Sequence, residues 1–260
     1  MQISHPGLAE YVLHLIDGDT VLDFGCGAGL YGFLLKYSWH RTKSNKPFKR
    51  VEGIDSSPAT VKEGNRLGFY NKVHLGTSLT LPFPDNHFDT VICLECLEHL
   101  YIEDVNILMA ELVRVCKKNL IISTPPHNLV SNAHWCHAEI ERLKNSTMNQ
   151  KTFFEKLGEL HKCYIDASIF VKCGFRTYMD AVKEDVYEVK TVAETNVYYG
   201  EKDKINLTQF SASCGIKRKT FDINPKKDYN DDYLQALADQ AHIQYLINQL
   251  LQGSQNDQKV

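Results

Sequence analysis

The sequence predicts an α/β fold of three layers, a mostly parallel sheet with helices on both faces. Short apolar segments alternate with segments of 3.6-residue periodicity across residues 20–123, the pattern of strands joined by crossover helices. Among the short segments, Phe88–Leu94 reads as a strand buried on both faces, which is the signature of a sheet covered by helices on each side. Of the 260 residues, 43% are hydrophobic and 23% charged, ordinary globular usage that excludes wholesale disorder and repeat architectures.

The elements follow in order. Thr20–Phe24 is a short apolar strand that ends in glycines. Leu30, Phe33, Leu34 and Tyr37 then recur at i, i+3, i+4 and i+7, one face of a helix. A polar, basic loop over 40–49 leads to a second strand, Arg50–Asp55. Ser57 followed by Pro58 opens a second helix, with proline where its missing N–H costs nothing. Lys72–Leu75 is a third strand and Phe88–Leu94 the fourth. Residues 103–116 suit a helix, and 119–123 form a fifth strand stopped by Pro125 and Pro126.

Beyond that the pattern weakens. Residues 127–149 are polar, rich in histidine and asparagine, and without a period; 151–170 read as helical. Gly174 and Phe175 lead into another strand, and β-prone stretches at 186–189 and 208–213 have no assignable order. Leu234, Leu237, Ala238, Ala241 and Tyr245 make the stripe of a terminal amphipathic helix, with Asn230 as a plausible N-cap. The expected organisation is a core over 1–180 with a substrate lid near 126–150, C-terminal strands and helix completing or capping it over 181–252, and a disordered tail at 253–260.

Composition also bounds function. The charge sum of −3 does not make the chain an electrostatic magnet for nucleic acid. No apolar run approaches the roughly 18 residues that span a bilayer. Glu10, Asp17 and Asp19 break the basic-then-apolar order of a signal peptide. Eight scattered cysteines suit unpaired thiols better than a disulfide framework, so a cytoplasmic location without a membrane partner is expected.

The chemistry begins at Asp23-Phe24-Gly25-Cys26-Gly27-Ala28-Gly29, between a strand and a helix. Alternate glycines let the chain turn tightly and let a ligand touch main chain that a β-carbon would shield. The spacing differs from the Gly-x-Gly-x-x-Gly of dinucleotide binders. An aspartate two positions ahead would repel a pyrophosphate but suits a cation such as an amino acid's ammonium. About thirty residues on, Asp55 ends the second strand, where open α/β sheets place a carboxylate for ribose hydroxyls. It could instead cap the Pro58 helix, a task Ser56 or Ser57 could perform equally. Together the two elements point to an adenosine with an amino-acid end, S-adenosylmethionine.

On these residues the chain resembles the class I, Rossmann-like S-adenosylmethionine-dependent methyltransferases, particularly the type 11 methyltransferase-domain group. The resemblance is carried by four blocks in family order: residues 21–29, 51–55, 81–89 (Leu-Pro-Phe-Pro-Asp-Asn-His-Phe-Asp), and Glu95-Cys96-Leu97-Glu98-His99-Leu100. It implies cofactor contacts from Asp23, Gly25, Cys26, Gly27, Gly29, Asp55, Ser56 and Leu94, with Glu95 flanking the methionine or the methyl. Where the family usually has an adenine-binding aspartate after the third strand, Gly76-Thr77-Ser78 stands; in this departure a hydroxyl of Thr77 or Ser78, or a main-chain carbonyl, could accept the same bond. The glycine pair before the fifth strand is replaced by Cys116-Lys117-Lys118-Asn119, which changes a turn.

Methyl transfer from a sulfonium asks mainly for alignment and for somewhere to put the acceptor's proton. Glu95, Glu98 and His99 are the catalytic candidates; a helical turn after the fourth strand would place the two glutamates on one face. Three readings are open. Glu98 or His99 is a general base or orients one; the trio plus His134 or His137 binds a divalent metal, resembling the RNA 3′-end 2′-O-methyltransferases; or the cluster is only a helix-opening signature of the group. No metal is assigned. Trp135 could stack on a planar substrate, His127 lies in the same stretch, and Arg41, Lys43, Lys46, Lys49 and Arg50 could steer an anion or simply be solvated. Cys93 and Cys96 read as packing residues. The expected activity is methyl transfer to oxygen or nitrogen of a small-molecule or glycan-like acceptor. Metal-dependent modification of RNA 3′ ends and a catalytically silent scaffold are the alternatives, and the oligomeric state is open.

Overall fold

A computed structural model describes residues 6–76, 80–125, 142, 161–178, 195–211 and 214–215. Its elements are α1 (Pro6–Leu15), β1 (Thr20–Phe24), α2 (Leu30–Tyr37), β2 (Arg50–Asp55), α3 (Pro58–Leu67), β3 (Lys72–Leu75), β4 (Phe88–Leu94), α4 (Ile102–Val115), β5 (Cys116–Thr124), β6 (Cys163–Tyr164), α5 (Ala167–Lys172), β7 (Arg176–Tyr178), β8 (Asn196–Glu201) and β9 (Cys214–Gly215). Two units divide the chain. The first joins Met1–Leu97, Asn106–Pro126 and Ala167–Phe210; the second joins Glu98–Val105, His127–Asp166 and Ser211–Val260.

The first unit holds a seven-stranded sheet in the order β3-β2-β1-β4-β5-β8-β7. The first five strands pair in parallel, as apolar runs buried on both faces require. β8 runs antiparallel to both β5 and β7. Every residue of β4 is buried. Val21, Ile92, Ile121 and Val197 meet Leu8, Val12 and Leu13 of α1, and Ile16 just after it, in the core. Each such aliphatic side chain stabilises by roughly 1.5–3 kcal/mol when fully buried. Ser57 caps α3, its hydroxyl accepting from the Thr60 N–H, with Pro58 at the first position. The fold class is therefore the expected mixed α/β one, mostly parallel, with helices.

Several details differ from expectation. In α2 the stripe Leu30, Phe33, Leu34, Tyr37 is not the buried face: Tyr31, Gly32 and Leu35 are buried, while Phe33 and Tyr37 are exposed. Gly32 sets this rotation, because a β-carbon there would fall 2.5 Å from the Tyr70 ring. Cys116 belongs to β5, not to the preceding helix. Cys163 and Tyr164, expected in a helix, pair with β9 in the second unit's two-stranded sheet, and the described helix begins only at Ala167. Leu207–Gln209 is a single 3-10 turn, not a strand. The lid at 126–150 apart from residue 142, the 186–189 stretch, the terminal helix and the tail lie outside the described residues, as do Thr77 and Ser78. Among the described residues no helix is long and apolar enough to cross a membrane.

Candidate functional site

The site of the first unit forms where β1, β2 and β4 end side by side. Asp23 lies in the middle strand, in register with Gly53 on one side and Ile92 on the other, so its carboxyl is enclosed. It is 3% exposed. The Tyr70 hydroxyl donates to its Oδ2 at 2.6 Å and accepts from the Gly32 N–H at 3.1 Å. Burial raises the Asp23 pKa to about 7; the Tyr70 bond opposes this and the Asp55 charge adds to it. Among the described residues no cation pairs with this carboxylate.

The loop after β1 is tied to the end of β2. The N–H groups of Gly25 and Cys26 donate to the Ile54 carbonyl at 2.9 and 3.1 Å. Gly27 N–H donates to Asp55 Oδ2 at 3.0 Å, and Ser57 N–H to Asp55 Oδ1 at 2.9 Å. Asp55 thus faces the loop and fixes its shape, while each carboxylate oxygen keeps a lone pair for a further donor. Capping of α3 falls to Ser57, so Asp55 is not spent on it. Gly25 has φ +74° and a β-carbon there would come 2.9 Å from Cys96 Sγ, so this turn tolerates only glycine. Gly27 and Gly29 are also left-handed, Cys26 is buried and Ser56 exposed.

Leu94 is buried at the end of β4. The expected helical turn after it does not form. Glu95 takes a left-handed backbone, φ +49°, and a 3-10 turn starts at Leu97; the shared-face argument for Glu95 and Glu98 has no helix to stand on. Left-handed geometry is uncommon for a residue with a β-carbon and costs energy. Here it is held by Ser123: the Glu95 N–H donates to the Ser123 carbonyl and hydroxyl, and that hydroxyl donates to Glu95 Oε1 at 2.8 Å. Burial lifts the Glu95 carboxyl well above the usual glutamate range, with the Ser123 bond opposing it.

Glu98 and His99 belong to the second unit, where His161 joins them. Their ligand atoms all lie within 4.8 Å of one another, Glu98 is buried, and the two imidazole rings stand 5.0 Å apart. Lys162 braces the group, its main-chain N–H donating to the Glu98 carbonyl and its ammonium to the His99 carbonyl. One carboxylate and two imidazoles are a donor set that fits a divalent transition ion. Sequence reasoning missed His161, because nothing in local spacing links it to a pair sixty residues earlier. It also missed Tyr31 and Tyr70, which look like ordinary apolar-face residues. His127, His134, Trp135 and His137 lie outside the described residues.

The basic loop is occupied at home. Lys46 and Lys49 pair with Asp19 at 2.6 and 2.7 Å and hold its carboxyl at about 2. Arg41 pairs with Glu10, Arg50 with Glu52, and Lys43 lies over the Tyr199 ring. Cys93 is fully buried and Cys96 partly so.

Residues 22–123 match the model of a family described as "Methyltransferase domain". The chain is 33% identical over 135 residues to a rice (Oryza sativa subsp. japonica) protein named "Probable tocopherol O-methyltransferase, chloroplastic", covering 49% of this chain and 32% of that one. It is 35% identical over 114 residues to the ajmaline N-methyltransferase of Rauvolfia serpentina, covering 42% and 36%. The chain thus spans about a third of the length of these curated relatives. A solved SAM-dependent methyltransferase from Archaeoglobus fulgidus is similar at 16% identity and a TM-score of 0.45, over 75% of this chain and 90% of that one.

Proposed function

We propose that this chain, whose residues 22–123 match a methyltransferase-domain family, is an S-adenosylmethionine-dependent methyltransferase acting on oxygen or nitrogen of a small-molecule or glycan-like acceptor. One observation carries the cofactor: a buried, cation-seeking carboxylate at Asp23 beside a left-handed glycine loop whose middle N–H is held by Asp55. The fit rests on the shape of that loop, which needs glycine at 25 because a β-carbon there would collide with Cys96 Sγ. Asp23 receives the ammonium, Asp55 the ribose hydroxyls, and Gly25, Cys26, Gly27 and Gly29 lie against the methionyl chain. Ser56, Thr77 and Ser78 belong to the nucleoside end and Leu94 to the methyl end.

The bound cofactor supplies a methyl on a positively charged sulfur, an electrophile that needs no covalent help. The protein's part is to align the acceptor and take its proton. Glu95 suits that task, since its raised pKa lets it hold a proton near neutrality and Ser123 fixes its direction. Relatives named as an O- and an N-methyltransferase support the choice of acceptor atom. Calorimetry with S-adenosylhomocysteine tests the cofactor: no saturable heat would favour the silent scaffold. Radiolabelled methyl should then appear in the low-mass fraction of a cell extract, and label confined to macromolecules would count against the acceptor class. The cytosol remains the proposed compartment, on the reduced-thiol reading of the cysteines.

A second reading, metal-dependent modification of an RNA 3′ end, is supported by the Glu98, His99 and His161 donor set. Transfer to a short RNA should then require an added divalent ion and vanish in Glu98→Ala; full activity in chelator ends it.

A further inference from the structure

Tyr31 is the second residue of α2, two positions past the last loop glycine, and it is 4% exposed. Its hydroxyl is enclosed and, among the described residues, has no hydrogen-bond partner. The contrast with Tyr70 is direct, since that phenol serves both Asp23 and Gly32. An unmade hydrogen bond on a buried hydroxyl is unfavourable, so a group retained in this state implies a partner that arrives from outside. Burial first, and then the charges of Asp23 and Glu95, keep the Tyr31 phenol protonated. What Tyr31 offers is therefore a proton donor.

The zwitterionic end of an amino acid brings two charges to this place. Its ammonium suits Asp23. Its carboxylate meets an environment already holding Asp23, Asp55 and Glu95, and it needs donors there. The loop has few to spare: the N–H groups of Gly25, Cys26, Gly27, Gly29 and Gly32 are all engaged within the protein.

We propose that the Tyr31 hydroxyl donates to the carboxylate of the cofactor's amino-acid end, making Tyr31 the residue by which the site distinguishes a complete amino acid from a simple amine. This rests on the S-adenosylmethionine reading of the site. Enclosure sharpens the contact, because no water competes for the same donor.

Calorimetry on the full chain tests it, with S-adenosylmethionine and with its decarboxylated analogue, which keeps the ammonium and sulfonium but lacks the carboxylate. Tyr31→Phe should weaken S-adenosylmethionine about tenfold, the scale of a hydrogen bond to a charged group, and leave the analogue within about twofold. Its thermal midpoint without ligand should match or exceed the wild type, since the removed hydroxyl had no partner. Equal weakening of both ligands would indicate a structural role and overturn the proposal, as would no weakening of either. A Tyr31→Phe chain that fails to fold would also overturn it. If the wild type binds neither ligand, the cofactor reading itself fails. If the wild type binds and the variant binds equally well, only the role of Tyr31 falls.

Discussion

Asp23 shows how one residue can trade stability for binding. Burial puts its pKa at about 7 in the empty protein against an ordinary value of 3.8. The folded state therefore holds the proton more tightly than the unfolded chain does. Its contribution to stability is complete below about pH 4 and is lost as pH rises through about 7. Asp23→Asn should accordingly raise the thermal midpoint at pH 8, where the native carboxylate is a buried charge, and change it little at pH 5. The same variant should weaken S-adenosylhomocysteine by roughly ten- to a hundredfold, the range for losing a hydrogen bond to a charged group. A variant less stable than wild type at pH 8 would show that the charge already has a partner. Asp23 was legible in the sequence from its place ahead of the glycines. Tyr70, which orients it, was not, because a tyrosine forty-seven residues away carries no local signal of what its hydroxyl touches.

Among the elements, the segment before β4 owes its shape to α4. The Arg114 guanidinium donates to the carbonyls of Leu81 and Phe83 and forms a forked pair with Glu111, whose Oε2 also accepts from the Leu81 N–H. It also reaches Asp85, but that carboxylate is 70% exposed. Arg114→Ala strips four polar groups of their partner and should cost about 2 kcal/mol in urea denaturation. Asp85→Ala should stay within about 0.5 kcal/mol, as exposed ion pairs do. Equal losses would mean the ion pair, not the carbonyl clamp, holds the segment. The sequence showed the elements here because strands covered on both faces are continuous apolar runs between helical periods. It concealed β6 and β9, since a two-residue antiparallel pair has no period and its strands lie fifty residues apart. It also misplaced the buried face of α2, which is set by the close approach of Tyr70 to Gly32 and not by hydrophobicity alone.

At the scale of the molecule, the strand order turns back on itself at β1, with β2 and β3 on one side and β4 and β5 on the other. Open α/β sheets bind ligands at the carboxyl ends of strands beside such a reversal, and Asp23, Asp55 and Glu95 all stand there. Burial raises the pKa of Asp23 and of Glu95, so the empty protein carries an electrostatic cost that a ligand's ammonium offsets at Asp23. S-adenosylhomocysteine at a hundred times its dissociation constant should stabilise the fold by about 2.7 kcal/mol, which for a chain of this size moves the midpoint by roughly 5–10 °C. The gain must depend on pH, because the ammonium pairs only with an ionised Asp23. Below pH 7 each unit costs about tenfold in affinity and so about 1.4 kcal/mol of the gain. Thermal shifts taken at fixed ligand concentration from pH 5.5 to 8.5 should therefore rise and level off above about 7. A ligand-induced shift that is flat across that range would mean the Asp23 carboxylate does not meet the ligand's ammonium, and the assignment of the amino-acid end to Asp23 would fail with it.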